Sequence, residues 1–376
     1  MQQVSDTRTV QRIFILAGEA SGDAYGGALV KALKEQNSAV HIRGWGGESM
    51  EAAGAKVTRH YRSLAFMGIG EVLKNLWTIR KRWYEAVNEI ATFQPDVFVG
   101  IDYPGFNLRM AKHCHALGIT THHYISPSVW AWKKNRVQQI ARDVDHLHVI
   151  LPFEQDWYRH VGVHVNWVGH PLLELIPSPP SSEASVQEHA APTLLLLPGS
   201  RKQELDRMIP AMLAAATLLP EFQPVIAGAP GRDASDYVAA TRAGVPVVFG
   251  QTRELMHEAD VALVTSGTAT LEAALLGLPH VIAYQTSWLT YAVAKMLVKT
   301  RFIGLPNILL QKPSVPELIQ RECTPENLAQ HVRSLHDGHS LTDKGKGQQV
   351  DQLELRDVLR GPGVPSQLVA RSILGT

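Results

Sequence analysis

The sequence predicts a doubly wound α/β protein built as two Rossmann-like parallel-sheet domains, and three observations carry that expectation. Short apolar runs recur along the chain with helical stretches between them. The runs are apolar throughout instead of alternating, which is what strands covered on both faces require. With 376 residues, 45% of them hydrophobic, the chain is long enough to bury a core in each of two domains.

The first run, "IFILA" at 13–17, reads as a buried strand and breaks into the turn "GEASGD" before a helix begins. At the carboxyl edge of a parallel sheet such a turn meets ligands, and the helix after it offers free backbone N–H groups. Here the turn lacks the spacing of a dinucleotide fingerprint and the lysine of a phosphate loop. It carries Glu19, Ser21, Gly22 and Asp23, and its two carboxylates suit a polyol hydroxyl better than a phosphate. A plain tight βα turn with an ordinary cap is the alternative.

Further on, "FMGIGEVLKNLWTIRKRWY" at 66–84 gathers Phe66, Ile69, Val72, Leu73, Leu76, Trp77, Trp83 and Tyr84 near one helical face, with Lys74, Arg80, Lys81 and Arg82 around it. An apolar face with tryptophan and clustered cations fits a lipid interface, and it equally fits a core helix with a solvated basic edge. The run "VFVGI" at 97–101 then delivers Asp102 to the end of a buried strand, followed by Tyr103, Pro104 and Gly105. Apolar walls there raise a carboxyl pKa and suit a general base; capping the next helix is the other role open to it. "HHYISPSVWAWKKNRV" at 122–137 ends another strand, and its two tryptophans either line a sugar or acyl site or pack in the core.

After "HLHVIL" at 146–151, the stretch "IPSPPSSEASVQEHAAP" at 176–192 is too rich in proline, serine and charge to form a packed element. It marks the expected boundary between domains 1–175 and 176–345, with a helical tail at 346–376 that packs on the first domain or on a partner subunit. The second half repeats the plan of the first. "TLLLLPGSRKQE" begins at 193 and again reads strand, glycine turn, helix, but with Gly199, Ser200 and Arg201, small residues and a guanidinium suited to a diphosphate. "PVIAG" at 224–228, "VALVT" at 261–265 and "HVIAY" at 280–284 supply further strands. The turn after 265 offers Ser266, Gly267, Thr268 and Thr270 for phosphate oxygens, and Glu272 one turn in for two ribose hydroxyls or as an ordinary first-turn acid.

Composition narrows the class. A formal net charge of +1 gives no global pull toward nucleic acid. The two cysteines, Cys114 and Cys323, lie far apart and fit a reducing cytoplasm instead of a disulfide framework or a zinc site. The 17 histidines are scattered without a metal-binding spacing, so neither metal nor other cofactor is expected. No segment approaches the roughly 18 apolar residues of a membrane-spanning helix.

Taken in order, "AGEASGD", "DYPGFN", "SPSVWAW", "VGHPLL", "LLPGSR", "SGTATLE" and "LVKTRFIGLPNIL" resemble the lipid-A-disaccharide synthases of Gram-negative bacteria, from about residue 12 to about 330. The resemblance implies the GT-B arrangement, two Rossmann-like domains facing a central cleft. It implies an inverting hexosyltransferase that joins UDP-2,3-diacylglucosamine to 2,3-diacylglucosamine 1-phosphate, giving the β-1',6-linked lipid A disaccharide and UDP. It further implies Asp102 as general base, Arg201 on the diphosphate, Asn307 as a residue important for activity that orients the donor, Glu272 on the ribose and an acceptor half that contains Glu19 to Asp23. Docking of helix 66–84 on the inner face of the inner membrane, and a monomer or homodimer, complete the implied picture. Another GT-B enzyme, a peptidoglycan glucosaminyltransferase or a UDP-sugar 2-epimerase, is the nearest rival, and a non-catalytic nucleotide- or lipid-binding protein the rival from another class.

Overall fold

A computed structural model describes residues 12–64, 76–128, 135–176, 191–287, 291 and 301–376. Two compact units emerge. Unit 1 runs to Glu174 and takes up the chain again at Leu359–Thr376, and unit 2 is Leu175–Val358.

Unit 1 is built on seven parallel strands, β1 (Arg12–Ala17), β2 (His41–Gly46), β3 (Lys56–His60), β4 (Val97–Ile101), β5 (Thr120–Tyr124), β6 (His146–Val149) and β7 (Asn166–Trp167), in the order β3-β2-β1-β4-β5-β6-β7. Around them lie α1 (Ala20–Gln36), α2 (Glu48–Ala52), α3 (Leu76–Phe93), α4 (Pro104–Ala116), α5 (Asn135–Asp143) and α6 (Pro152–His160). The all-apolar runs are the central strands, as two-sided cover demands. Phe14, Leu16 and Phe98 pack on Ala86 and Ile90 of α3 and on Phe106, Met110 and Cys114 of α4. Ile13 and Ile15, which alternate with them on β1, are equally buried. Each such side chain contributes about 1.5–3 kcal/mol of transfer free energy.

Unit 2 repeats the plan with β8 (Thr193–Leu197), β9 (Gln223–Gly228), β10 (Val247–Phe249), β11 (Val261–Thr265), β12 (His280–Tyr284) and β13 (Glu317–Ile319), in the order β10-β9-β8-β11-β12-β13. Its helices include α7 (Lys202–Thr217), α8 (Thr252–Glu258), α9 (Thr268–Leu275), α10 (Leu305–Leu310), α11 (Pro325–Leu335) and α12 (Asp343–Leu359). Leu194, Leu196 and Leu263 meet α7 and α11 on one face. Leu195, Leu197 and Val264 meet Met256 and Ala273 on the other. The β2, β3, β7 and β13 strands stand toward the sheet edges and carry polar residues, and β10, "VVF", is only three residues long, so none of them shows as a long apolar run.

Helix α13 (Pro365–Leu374) belongs to unit 1 and packs on α1, with Gln36 Nε2 bonded to the Gln367 carbonyl at 3.2 Å. Glu174 fastens its first turn, accepting from the Ser366 N–H at 2.8 Å and hydroxyl at 2.6 Å. Helix α12, which crosses the tail boundary expected at 346, is grouped with unit 2 as far as Val358.

In both sheets the strand order reverses direction between the first strand and a strand added later: β1 beside β4, and β8 beside β11. Such switch points are where open α/β sheets bind ligands. The four turns leaving these strands are the ones the sequence singles out.

Candidate active site

At the switch point of unit 1, β4 ends in a strained corner. Asp102 and Tyr103 both take left-handed backbone conformations, with φ of 45° and 46°. For residues with a Cβ each costs about 1–2 kcal/mol, so the surroundings must fix them. The Asp102 N–H extends the sheet by donating to the Tyr124 carbonyl at 2.8 Å. The Tyr103 hydroxyl donates to the Leu64 carbonyl at 2.9 Å, and its ring lies over Gly18, where a Cβ would come within 2.4 Å of it. Gly18 is therefore needed for close approach of the two turns. Pro104 opens α4, where its missing N–H costs nothing.

Electrostatically this corner is negative. Burial first, and then the Glu19 charge, push the Asp102 carboxyl up to about 7, while the Tyr103 N–H opposes the shift. The same two causes raise the Tyr103 phenol to about 12. Glu19 sits half-buried at the N-cap of α1, and Ser21 is half-buried one residue into that helix. Asp102 thus has its carboxyl raised toward neutrality at the switch point, a property that general-base chemistry requires.

Asp23 departs from the expected cleft role. It is 3% exposed, and its carboxylate accepts from the N–H groups of Gly47 at 2.6 Å, Ser49 at 3.0 Å and Met50 at 3.2 Å. Its charge serves the N-terminus of α2, an interaction across 24 residues that the sequence does not display. Gly22 is buried and packs near Ala17.

The switch point of unit 2 has the opposite character. Gly199 has φ of 103°, and a Cβ there would lie 2.5 Å from Glu204 Oε2. Glu204, which the sequence reading passed over, closes this turn: Oε2 accepts from the N–H groups of Ser200 at 3.1 Å and Arg201 at 3.2 Å, and Oε1 from Arg201 Nη1 at 2.9 Å. Its place three residues into the helix is the signature of a carboxylate reaching back to cap, and was legible. The backbone donors expected for a diphosphate are therefore engaged by a side chain, and the guanidinium of Arg201, half-exposed, is what the turn presents. Arg232 adds a second guanidinium, its Nε donating to the Ser200 carbonyl at 2.8 Å.

Beside it, Gly267 and Thr268 are exposed at the start of α9. Ser266 donates to the Ile303 carbonyl at 3.3 Å. Thr270 differs from expectation: it is fully buried and its hydroxyl donates to the Gly267 carbonyl at 2.8 Å, so it shapes the turn and does not reach a phosphate. Glu272 is paired through Oε2 with Arg253 Nε at 2.9 Å, a cation that only the folded arrangement brings to α9.

Asn307 also differs. It is fully buried, its Nδ2 donates to Val315 O and Glu317 Oε1, both at 2.8 Å, and its Oδ1 accepts from the Val315 N–H at 2.8 Å. Glu317 in turn accepts from the N–H groups of Ile303 at 2.9 Å and Gly304 at 3.0 Å. Asn307 thereby supports, through Glu317, the loop whose Ile303 carbonyl meets Ser266. Both amide hydrogens of Asn307 are thus engaged within its own loop.

Of the expected docking residues, Phe66, Ile69, Val72 and Leu73 lie outside the described residues, as do the tryptophans of "SPSVWAW", and only the backbone of Leu76 is described. Trp77 is 81% exposed, and the Arg80 guanidinium stands 6.0 Å from its ring and 5.7 Å from that of Tyr84. Trp83 turns inward instead, 5.9 Å from Phe106. Among the described residues no helix is long and apolar enough to cross a membrane, and no group of three or more His, Cys, Asp or Glu side chains is placed to hold an ion.

Comparison with known proteins bears on the family and the fold. The family model for lipid-A-disaccharide synthetase matches residues 13–360. A lipid-A-disaccharide synthase of Myxococcus xanthus is 40% identical over 333 residues, 86% of this chain and 87% of the relative. Another, of Syntrophus aciditrophicus, is 37% identical over 373 residues, covering 96% of this chain and 97% of the relative. Among solved structures, a putative UDP-N-acetylglucosamine 2-epimerase from Listeria monocytogenes superposes with a TM-score of 0.66 over 98% of this chain and 95% of that one. At 13% identity this is a likeness of fold, the GT-B pattern of two parallel-sheet α/β domains, and it lends no weight to epimerisation. With matches of this extent, the chain belongs to the lipid-A-disaccharide synthase family, the glycosyltransferases of lipid A biosynthesis.

Proposed function

We propose that the protein transfers the glucosaminyl group of UDP-2,3-diacylglucosamine to the 6-hydroxyl of 2,3-diacylglucosamine 1-phosphate, giving the β-1',6-linked disaccharide 1-phosphate and UDP. The observation that carries this reading is the Asp102 carboxyl, raised to about 7 at the unit 1 switch point in a chain of this family. An α-linked donor converted to a β linkage requires a single in-line displacement. The hydroxyl oxygen attacks the anomeric carbon, Asp102 takes its proton, and the bond to the UDP oxygen breaks. No covalent enzyme intermediate is needed.

Unit 2 holds the donor. Arg201 and Arg232 neutralise the diphosphate as negative charge grows on the leaving oxygen, in an environment where such interactions strengthen in the transition state. Thr268 and the start of α9 assist, and Glu272, oriented by Arg253, takes the ribose hydroxyls. Glu19 and Ser21 contribute to the acceptor side. The protein works at the cytoplasmic face of the inner membrane, with the exposed Trp77 and Arg80 as the described part of its docking face.

The test is a turnover assay with purified protein, both lipid substrates in detergent and EDTA present, products separated by thin-layer chromatography. Disaccharide 1-phosphate together with UDP is the expected outcome. Absence of product from a protein that still binds UDP would overturn the acceptor assignment and turn attention to other acceptors.

A further inference from the structure

The strained corner at Asp102 needs something to hold it, and the bonds around Asn107 supply it. Asn107 lies in the first turn of α4, is fully buried, and projects its amide back across the switch point. Its Nδ2 is 2.8 Å from the carbonyl of Asp102, 3.2 Å from that of Ile101 and 3.1 Å from that of Leu16. One side chain thus gathers carbonyl groups at the carboxyl ends of β4 and β1, the two strands whose turns carry Asp102 and Glu19. Turned the other way, the amide would set its oxygen against three carbonyl oxygens, so the orientation is chemically fixed.

Gly100 makes room for it. A Cβ at Gly100 would lie 2.9 Å from the Asn107 Cβ and 3.2 Å from His123 Nδ1. A glycine inside a buried strand ordinarily weakens it, and close approach of another group is a reason to keep one. Of the titratable groups here, Glu19 on the turn after β1 acts on the Asp102 carboxyl, Tyr103 adjoins it in the chain, and His123 of β5 lies beside Gly100. Burial pushes His123 down to about 4, so it is neutral near pH 7.

We propose that Asn107 is the positioning residue of the catalytic base, locking Asp102 in its left-handed corner beside Glu19, and that Gly100 is present to admit it. This rests on the reading of Asp102 as base. Without the amide, the three carbonyl groups lose their shared donor and the corner relaxes toward ordinary backbone. Asp102 then moves away from the half-buried, negative place that sets its titration, and a misplacement of about 1 Å in a reacting group costs on the order of a hundredfold in rate.

Asn107→Leu, similar in volume and without donors, tests it. Expected are a fall in kcat of roughly ten- to a hundredfold at pH 7, unchanged UDP affinity, and an acid limb of the kcat–pH profile moved down toward the ordinary carboxylate range. A merely structural role would leave that limb in place. Gly100→Ala, which presses on Asn107, should move both quantities in the same direction by less, and it decides the matter if Asn107→Leu fails to fold. Wild-type kcat and acid limb in the folded variant would overturn the proposal. Should Asp102→Asn keep full turnover, the base reading falls and the positioning role with it. Should Asp102→Asn lose turnover while Asn107→Leu keeps it, only the positioning role falls.

Discussion

The turn after β1 and the turn after β8 occupy the same place in two copies of one topology, yet they are built to opposite electrostatic ends. In unit 1 the switch point collects carboxyl groups: Glu19 stands near Asp102 and helps raise it to about 7. In unit 2 the corresponding turn presents the guanidinium of Arg201, Arg232 from the loop after β9 joins it at the Ser200 carbonyl, and the carboxylate of Glu204 is engaged by the turn's own backbone N–H groups and by Arg201. Topology therefore supplies a ligand-binding edge, and side-chain charge decides which ligand and which task. A proton acceptor suits the first edge, and an anionic leaving group the second.

The sharpest way to break the comparison is Asp102→Asn. Removing a general base is expected to lower turnover by roughly 10²–10⁴-fold, measured with saturating substrates; full turnover would end the base assignment. The same variant makes a second, opposite prediction for stability. A carboxyl whose pKa is raised by folding binds its proton more tightly in the folded chain, so ionising it between its ordinary value and about 7 costs stability. Asp102→Asn should consequently melt higher than wild type at pH 8, by about 2–4 °C per kcal/mol recovered, and show no such gain at pH 4.

Next in size is Arg201→Ala. Loss of a charge-assisted contact worth about 1.5–3 kcal/mol should weaken both UDP affinity and kcat/KM by roughly ten- to a hundredfold. Unchanged UDP affinity would remove Arg201 from the donor site. Asn307→Ala should act through Glu317 and the 303–304 loop. We expect a stability loss of about 1–3 kcal/mol, read by denaturant titration, with a weaker effect on UDP binding than Arg201→Ala. A kinetic defect in a variant of wild-type stability would contradict the scaffolding role.

The smallest expected effect is also the most discriminating. Glu19→Gln removes the charge that helps raise Asp102, so the acid limb of the pH–rate profile should move to lower pH. Activity at pH 6 relative to pH 8 should then rise. A limb that stays in place would mean that burial alone sets the Asp102 pKa.

The sequence discloses the parts of this molecule that depend on local pattern. Strands β1, β4, β8 and β11 carry continuous apolar runs because both their faces are covered, and the turns that follow them stand out as interruptions. Edge strands such as β3, "KVTRH", have no such signature, since half their surface meets water. In the site, the residue types were legible and their engagements were not. Asp23, Thr270 and Asn307 look like ligand groups until the fold supplies their partners: the N-terminus of α2, the Gly267 carbonyl, and Val315 with Glu317. Asn107 is invisible for the same reason, because one of its acceptors, Leu16, lies 91 residues away.

The division of labour between the two turns is tested most directly by measuring UDP dissociation constants for Asp102→Asn and Arg201→Ala side by side, by titration calorimetry under one set of conditions. The account predicts wild-type affinity for Asp102→Asn and clearly weakened affinity for Arg201→Ala. Equal losses in both, or a loss confined to Asp102→Asn, would contradict it.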